Sequence, residues 1–371
     1  MKKSYFLMAA AAALFAACSE TDFVNEATVQ DAPKAIGFET FAYKSTRAEN
    51  STAENSTADY VGSLSSHHTT FTVWGHKLVG TTATTVFDEK SVTNTSADVW
   101  SYGTPLVYWD KAADNYEFYA AAPTKADFWT LEDNATSNVI SDDYITTDEF
   151  AVQAHNAVTG AYATAAVSSF QGVANAEDLM IAAPKSVADY SQAVQLQFIH
   201  ILSRLNVAVK TSLDNVIVKH IVVGNMASTG TFDESDATIT TASSTLRWTK
   251  TAGTVDYVNE TDEALTKDAA AKIAIDALVM PQVAVREVLD LSATTFTDKK
   301  PYLFVEYTVN GETNTRAYNL ADVFNGDTDT DINFNEGYQN TLNITIGANA
   351  IEFSTQVAEW AATTPATPTV Q

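Results

Sequence analysis

Val194-Gln195-Leu196-Gln197-Phe198, running on to Val207-Ala208-Val209, is the stretch that decides the fold. Large apolar side chains stand at every second position with glutamines between them, the period of a strand that buries one face. Outward from it the same signature returns in short runs: Phe71-Thr72-Val73-Trp74, Val216 to Val223, Ile273 to Met280, Tyr302 to Val309, Leu342 to Ile346 and Ile351 to Val357. Clusters of Thr, Asn, Asp and Gly separate them at the spacing of a β-sandwich. Leu303 to Val309, Asn310-Gly311 and Glu312 to Tyr318 read as a hairpin, because Asn-Gly favours a type I′ turn. A second hairpin is expected where Leu106-Val107-Tyr108-Trp109 and Tyr116-Glu117-Phe118-Tyr119 flank Asp110 to Asn115, with rings giving large cross-strand burial. Only Asp262 to Lys272 looks helical. The fold class is all-β with few short helices.

The amino-terminal end reads as an export signal. Lys2 and Lys3 precede the apolar run Tyr5 to Ala17, and the small Ala16 and Ala17 stand before Cys18. The run is shorter than the roughly 20 residues that cross a bilayer. Residues 1–17 are therefore expected to be a signal peptide and Cys18 the lipidated end, although Phe15 takes the place where leucine is usual. Cys18 is the only cysteine, so no disulfide forms within one chain. Residues 18–33 are polar and read as a tether. In residues 34–47, Ile36, Phe38 and Thr40 share one face of a short strand, and Phe41 and Tyr43 the other. Beyond Lys44-Ser45-Thr46-Arg47, the tandem Ala48-Glu49-Asn50-Ser51-Thr52 and Ala53-Glu54-Asn55-Ser56-Thr57 has no side chain able to build a core. It reads as a linker, which leaves Arg47 accessible to a protease.

A formal net charge of −25 repels phosphate backbones and anionic membrane faces, so nucleic acid is excluded as a partner. Charged residues make up 18% and hydrophobic residues 46%, enough for sizeable cores. The length of 371 residues suggests two domains, divided near residue 193 as 48–192 and 193–371.

No catalytic constellation stands out. There is no Gly-x-Ser-x-Gly, no phosphate loop and no His-Glu-x-x-His, so neither an enzyme nor a cofactor is expected. His67-His68 reads as a solvated polar loop, and His200, in an apolar run, as a hydrogen-bonded core histidine. Asn325 to Glu336 places oxygen-bearing residues at alternate positions with a glutamate twelfth, as in a calcium loop, which makes Asp327, Asp329, Asp331 and Glu336 a weak metal candidate. Thr330 stands where that loop needs glycine and no flanking helix is expected, so a solvated acidic turn is the preferred reading and no metal is expected. Trp74, Trp100, Trp109, Trp129, Trp248 and Trp360 would stack on sugars if exposed; as strand residues they are expected in the core.

Several segments, in their order, resemble the fimbrillin family, the pilin subunits of type V pili of anaerobic Gram-negative bacteria. They are Ile36-Gly37-Phe38 leading to Ser45-Thr46-Arg47-Ala48, Tyr108-Trp109 with Tyr116 to Ala120, and Leu196 to His200 with Ser203-Arg204-Leu205. Later come Leu278-Val279-Met280-Pro281-Gln282 and Phe334-Asn335-Glu336-Gly337-Tyr338, closing on Glu359-Trp360. The resemblance implies two transthyretin-like β-sandwiches in tandem, export as an outer-membrane lipoprotein, trimming after an arginine (here between Arg47 and Ala48), and polymerisation by strand exchange into a fimbria that mediates adhesion. Its implied partners are other pilin subunits, with host or bacterial surface ligands as further candidates. A glycan-binding surface lipoprotein is the alternative.

Trimming would remove the strand bearing Ile36 and Phe38 and open a groove to an incoming strand. The tail after Trp360 carries Pro365 and Pro368, which donate no ladder hydrogen bond. Ile351 to Val357, with Ile351, Phe353 and Val357 on one face, is therefore the expected donor strand if the subunit donates; a subunit that only accepts a strand would cap the fimbria as a tip adhesin.

Overall fold

Burial alternates along the first strand as its sequence requires: Ile36, Phe38, Thr40 and Ala42 are buried and Glu39 is exposed. The computed structural model describes residues 33–42, 64–96, 98–132, 143–152, 177–235, 246–251, 253–286, 300–325, 331–348 and 350–359. Within them the regular secondary structure is almost entirely strand. The first half holds β1 (Phe38–Ala42), β2 (Thr70–Val79), β3 (Thr82–Ser96), β4 (Val99–Ser101), β5 (Asn115–Ala122), β6 (Trp129–Glu132), β7 (Tyr144–Thr147), β8 (Phe150–Ala151), β9 (Met180–Val187) and β10 (Val194–His200). The second holds β11 (Ser203–Thr211), β12 (Val216–Ala227), β13 (Thr229–Phe232), β14 (Trp248–Lys250), β15 (Thr254–Leu265), β16 (Lys272–Val279), β17 (Gln282–Ala284), β18 (Tyr302–Val309) and β19 (Glu312–Asn319). The short helix α1 (Leu320–Asn325), β20 (Ile332–Phe334), β21 (Tyr338–Ile346) and β22 (Ile351–Glu359) complete it. Among the described residues no helix is long and apolar enough to cross a membrane.

Seven strands form one sheet in the order β1-β10-β9-β5-β2-β3-β4. It curls until its end strands β1 and β4 meet, enclosing an aromatic core that includes Phe71, Phe87, Trp100 and Phe118. The second half packs β16-β11-β21-β22 against β15-β12-β18-β19, with Leu205, Val207 and Val209 of one sheet meeting Ile221, Val223 and Val305 of the other. Central strands of the first sheet are covered on both faces. Phe118, Ala120 and Met180 point into the aromatic core, whereas Trp74, Tyr119 and Ile181, of opposite parity, join the core of the second half.

The Asn-Gly hairpin is present as expected: Asn310 and Gly311 have φ of 52° and 87°, and Val309 pairs with Glu312. Three expectations are corrected. Asp262 to Lys272 is not a helix, because β15 runs through Leu265 in antiparallel pairing with β12, and β16 begins at Lys272; tertiary ladder bonds override local helix preference here. Leu106 to Trp109 forms no hairpin with Tyr116 to Tyr119. Strand β5 is sandwiched between β2 and β9, and Tyr108 bridges Ala35 instead. The run that begins at Val194 is not continuous: it breaks at Ile201-Leu202, where the chain crosses from one sheet to the other. Strand β10, lying beyond the division at residue 193, bonds to β1 and β9 of the first sheet.

Candidate functional site

Strand β1 occupies a seat with partners on both sides. Phe38–Ala42 runs parallel to Val194–Phe198 of β10, and the Val194 N–H donates to the Gly37 carbonyl at 2.8 Å. On the other side the Ile36 N–H donates to the Val107 carbonyl at 2.8 Å, and the Trp109 N–H to the Lys34 carbonyl at 3.0 Å. The Tyr102 hydroxyl donates to the Ile36 carbonyl at 2.9 Å. Beneath the strand, the Phe38 ring is met edge-on by Phe71, Phe87, Tyr102 and Phe118 at centroid distances of 5.5 to 6.0 Å. Ile36 is 1% exposed and Phe38 5%. Without β1, a groove floored by four rings and edged by unpaired backbone groups of β10 and Val107–Trp109 would remain.

The strand expected to donate lies in the second half. Strand β22 forms the edge of its sheet, paired with β21 from Tyr338↔Glu359 to Ile346↔Ile351. Ile351 is buried and Phe353 half-buried against Tyr318, with ring centroids 4.8 Å apart, but Val357 is 48% exposed. Cys18, Arg47 and Ala48 lie outside the described residues.

Of the calcium-loop candidates, Asp331 and Glu336 are among the described residues. Asp327 and Asp329 lie outside the described residues. Asp331 accepts the Arg286 N–H at 2.9 Å, while Glu336, 3% exposed, accepts the Arg247 backbone N–H at 2.7 Å and its guanidinium at 2.6 Å. Burial pushes the Glu336 carboxyl up, opposed by Arg247. Glu336 is thus a structural ion-pair residue, and α1 leads into the loop, contrary to the expected lack of a flanking helix. The neighbouring Gly337, at φ 68°, donates its N–H to the Leu202 carbonyl at 2.8 Å across the sheet crossing.

Trp74, Trp100, Trp109, Trp129 and Trp248 are each buried, and Trp360 lies outside the described residues. A cavity of about 250 Å³ is lined by Asn225, Lys250, Gln282, Val285 and Lys300 among others, with no aromatic side chain to stack on a sugar. His67 and His68 depart from expectation, whereas His200 is buried, as expected. His68 is buried rather than solvated, and His67, half-buried, faces His200 across ring centroids 5.1 Å apart. Burial and the neighbouring His200 push His67 down to about 4, with Asp178 opposing. Asp178 was given no role by the sequence, since nothing local links residues 67, 178 and 200.

The sequence pattern of the fimbrillin-like family matches this chain over residues 46–360. The chain belongs to the fimbrillin-like family. A fimbrial protein from Bacteroides vulgatus is similar to this fimbrillin-like chain at 14% identity, covering 88% of this chain and 99% of that one with a TM-score of 0.49. A candidate cell adhesion protein from Bacteroides uniformis shows 16% identity over 88% and 99% of the two chains, with a TM-score of 0.47. No curated protein matches. Membership of that family makes the chain a fimbria-related protein and not an enzyme.

Proposed function

We propose that this subunit is exported as a lipoprotein acylated on Cys18, cut between Arg47 and Ala48, and polymerised by donor-strand exchange into an adhesive fimbria. The observation that carries the reading is the two-sided seat of β1. The strand can leave as a unit once the chain is cut, since only residues 43–63 join it to the next described segment. Its departure exposes Ile36 and Phe38 sites whose reburial is worth ~1.5 to 3 kcal/mol each, together with two rows of unpaired backbone groups. A neighbour's strand restores both. Because groove and donor are different surfaces, the contact is head-to-tail and propagates as a filament. Strand β22, an edge strand bearing Ile351 and Phe353, is the donor; it must first leave β21, so donation and acceptance couple the two halves.

The test treats purified protein with an arginine-specific protease and looks for heat-labile, detergent-resistant ladders. Trimmed wild-type protein should ladder, and trimmed Ile351→Asp/Phe353→Asp protein should not ladder alone. Ladders from the double variant alone would rule out β22 as donor. A trimmed wild-type chain that stays monomeric would overturn self-assembly.

A further inference from the structure

Three segments remote in sequence converge where the first sheet meets the second half. His67 follows the short helical turn Leu64–Ser66, Asp178 lies two residues before β9, and His200 ends β10, where it pairs with Met180. His200 Nδ1 lies 2.8 Å from Asp178 Oδ2, and His67 Nδ1 lies 3.8 Å from the same oxygen. One ligand atom from each of the three lies within 4.8 Å of the others. Their side chains are 14% (His67), 15% (Asp178) and 2% (His200) exposed, so the cluster opens to solvent on the His67–Asp178 side only.

We propose that His67, Asp178 and His200 form a binding site for one divalent transition-metal ion, with zinc the best fit. Two imidazoles and one carboxylate are borderline ligands, suited to zinc and unsuited to the all-oxygen shells of calcium or magnesium. Ligands about 2.0 to 2.2 Å from a tetrahedral zinc stand roughly 3.4 Å from one another. The observed separations bracket that span, so small side-chain rotations close the shell. Three protein ligands leave a fourth position for water on the open side. Backbone bonds hold the frame: the His67 N–H donates to the Leu64 carbonyl at 2.8 Å, and the Ile201 N–H to the Leu179 carbonyl at 2.9 Å. An ion here would tie the entrance of β2 to the hairpin of β9 and β10. Strand β1 contributes no ligand to it.

The test titrates untagged full-length protein with zinc chloride, followed by calorimetry and thermal unfolding. Wild type should bind one zinc per chain with a rise in Tm that grows with zinc concentration. His67→Ala and Asp178→Asn should each weaken binding at least ~10-fold, since loss of an outer-shell partner alone costs about that much, while His220→Ala, on β12, should bind as wild type. Long-range nitrogen–proton spectra of the wild-type imidazoles give a readout free of any folding defect in the variants: zinc should move the ring nitrogens of His67 and His200 and leave those of His220 in place. No saturable binding by wild type, undiminished binding by both ligand variants, or unmoved His67 and His200 signals would each overturn the site.

Discussion

Phe38 shows how much one residue carries here, because four rings close on it from four different segments. Phe38→Ala in the untrimmed protein should cost about 3 to 5 kcal/mol, measured by urea unfolding, since the surrounding rings cannot collapse into the gap. A loss under about 1 kcal/mol would mean the ring is not part of the packed core. Glu117, on the face of β5 opposite Phe118, is 5% exposed. Burial pushes its carboxyl up to about 7, with Asp143 adding to the rise and Ser186, Asn115 and Lys185 opposing it. The folded state therefore keeps a proton that the unfolded chain releases near 4.5, and the contribution of Glu117 to stability falls as pH rises from about 4.5 to 7 before levelling. Glu117→Gln should flatten that fall by up to roughly 3 kcal/mol in chemical denaturation at pH 4.5 and pH 7.5. An unchanged slope would show that Glu117 does not cause it.

At the scale of elements, β1 is the piece whose mobility the proposed assembly needs. Glu39 of β1 and Gln195 of β10 are paired in register and both exposed. Oxidised Glu39→Cys/Gln195→Cys protein, made in a Cys18→Ser background, should keep β1 after arginine-specific cleavage and form no ladders. Reducing agent should restore them. Ladders that form equally well with the cross-link intact would show that β1 does not have to leave. The strands were legible where one face is solvated, as in β1 and β10, because alternation survives there, and the β18–β19 hairpin was legible from its Asn310-Gly311 turn. Strand β5 hid its partners: buried on both faces, Tyr116 to Ala122 carries no record of whether β2, β9 or Leu106–Trp109 lies beside it.

For the whole molecule, the two halves share a core. Trp74, Tyr119 and Ile181 belong to the first sheet yet pack in the cluster that fills the second sandwich. Phe150 of β8 pairs with Gly230 of β13, which fastens residues before β9 to the second half. Unfolding in urea should therefore be a single cooperative transition, with Ile181→Ala lowering the midpoint of both halves together. Hydrogen exchange that reports separate midpoints for β3 and β18 would contradict a shared core.

By itself the sequence determined the all-β class, the turn at Asn310-Gly311, the inward face of Ile36 and Phe38, and the absence of a catalytic motif, because each depends on neighbours within a few residues. Only the tertiary structure decided that β10 belongs with β1, that Glu336 is held by Arg247, and that His67, Asp178 and His200 meet. The physical reason is common to all three. A strand's own pattern records which face is buried, but its edges carry only backbone donors and acceptors, identical at every residue. Which strand takes those edges, and so which distant side chains are brought together, is settled by packing across the whole core.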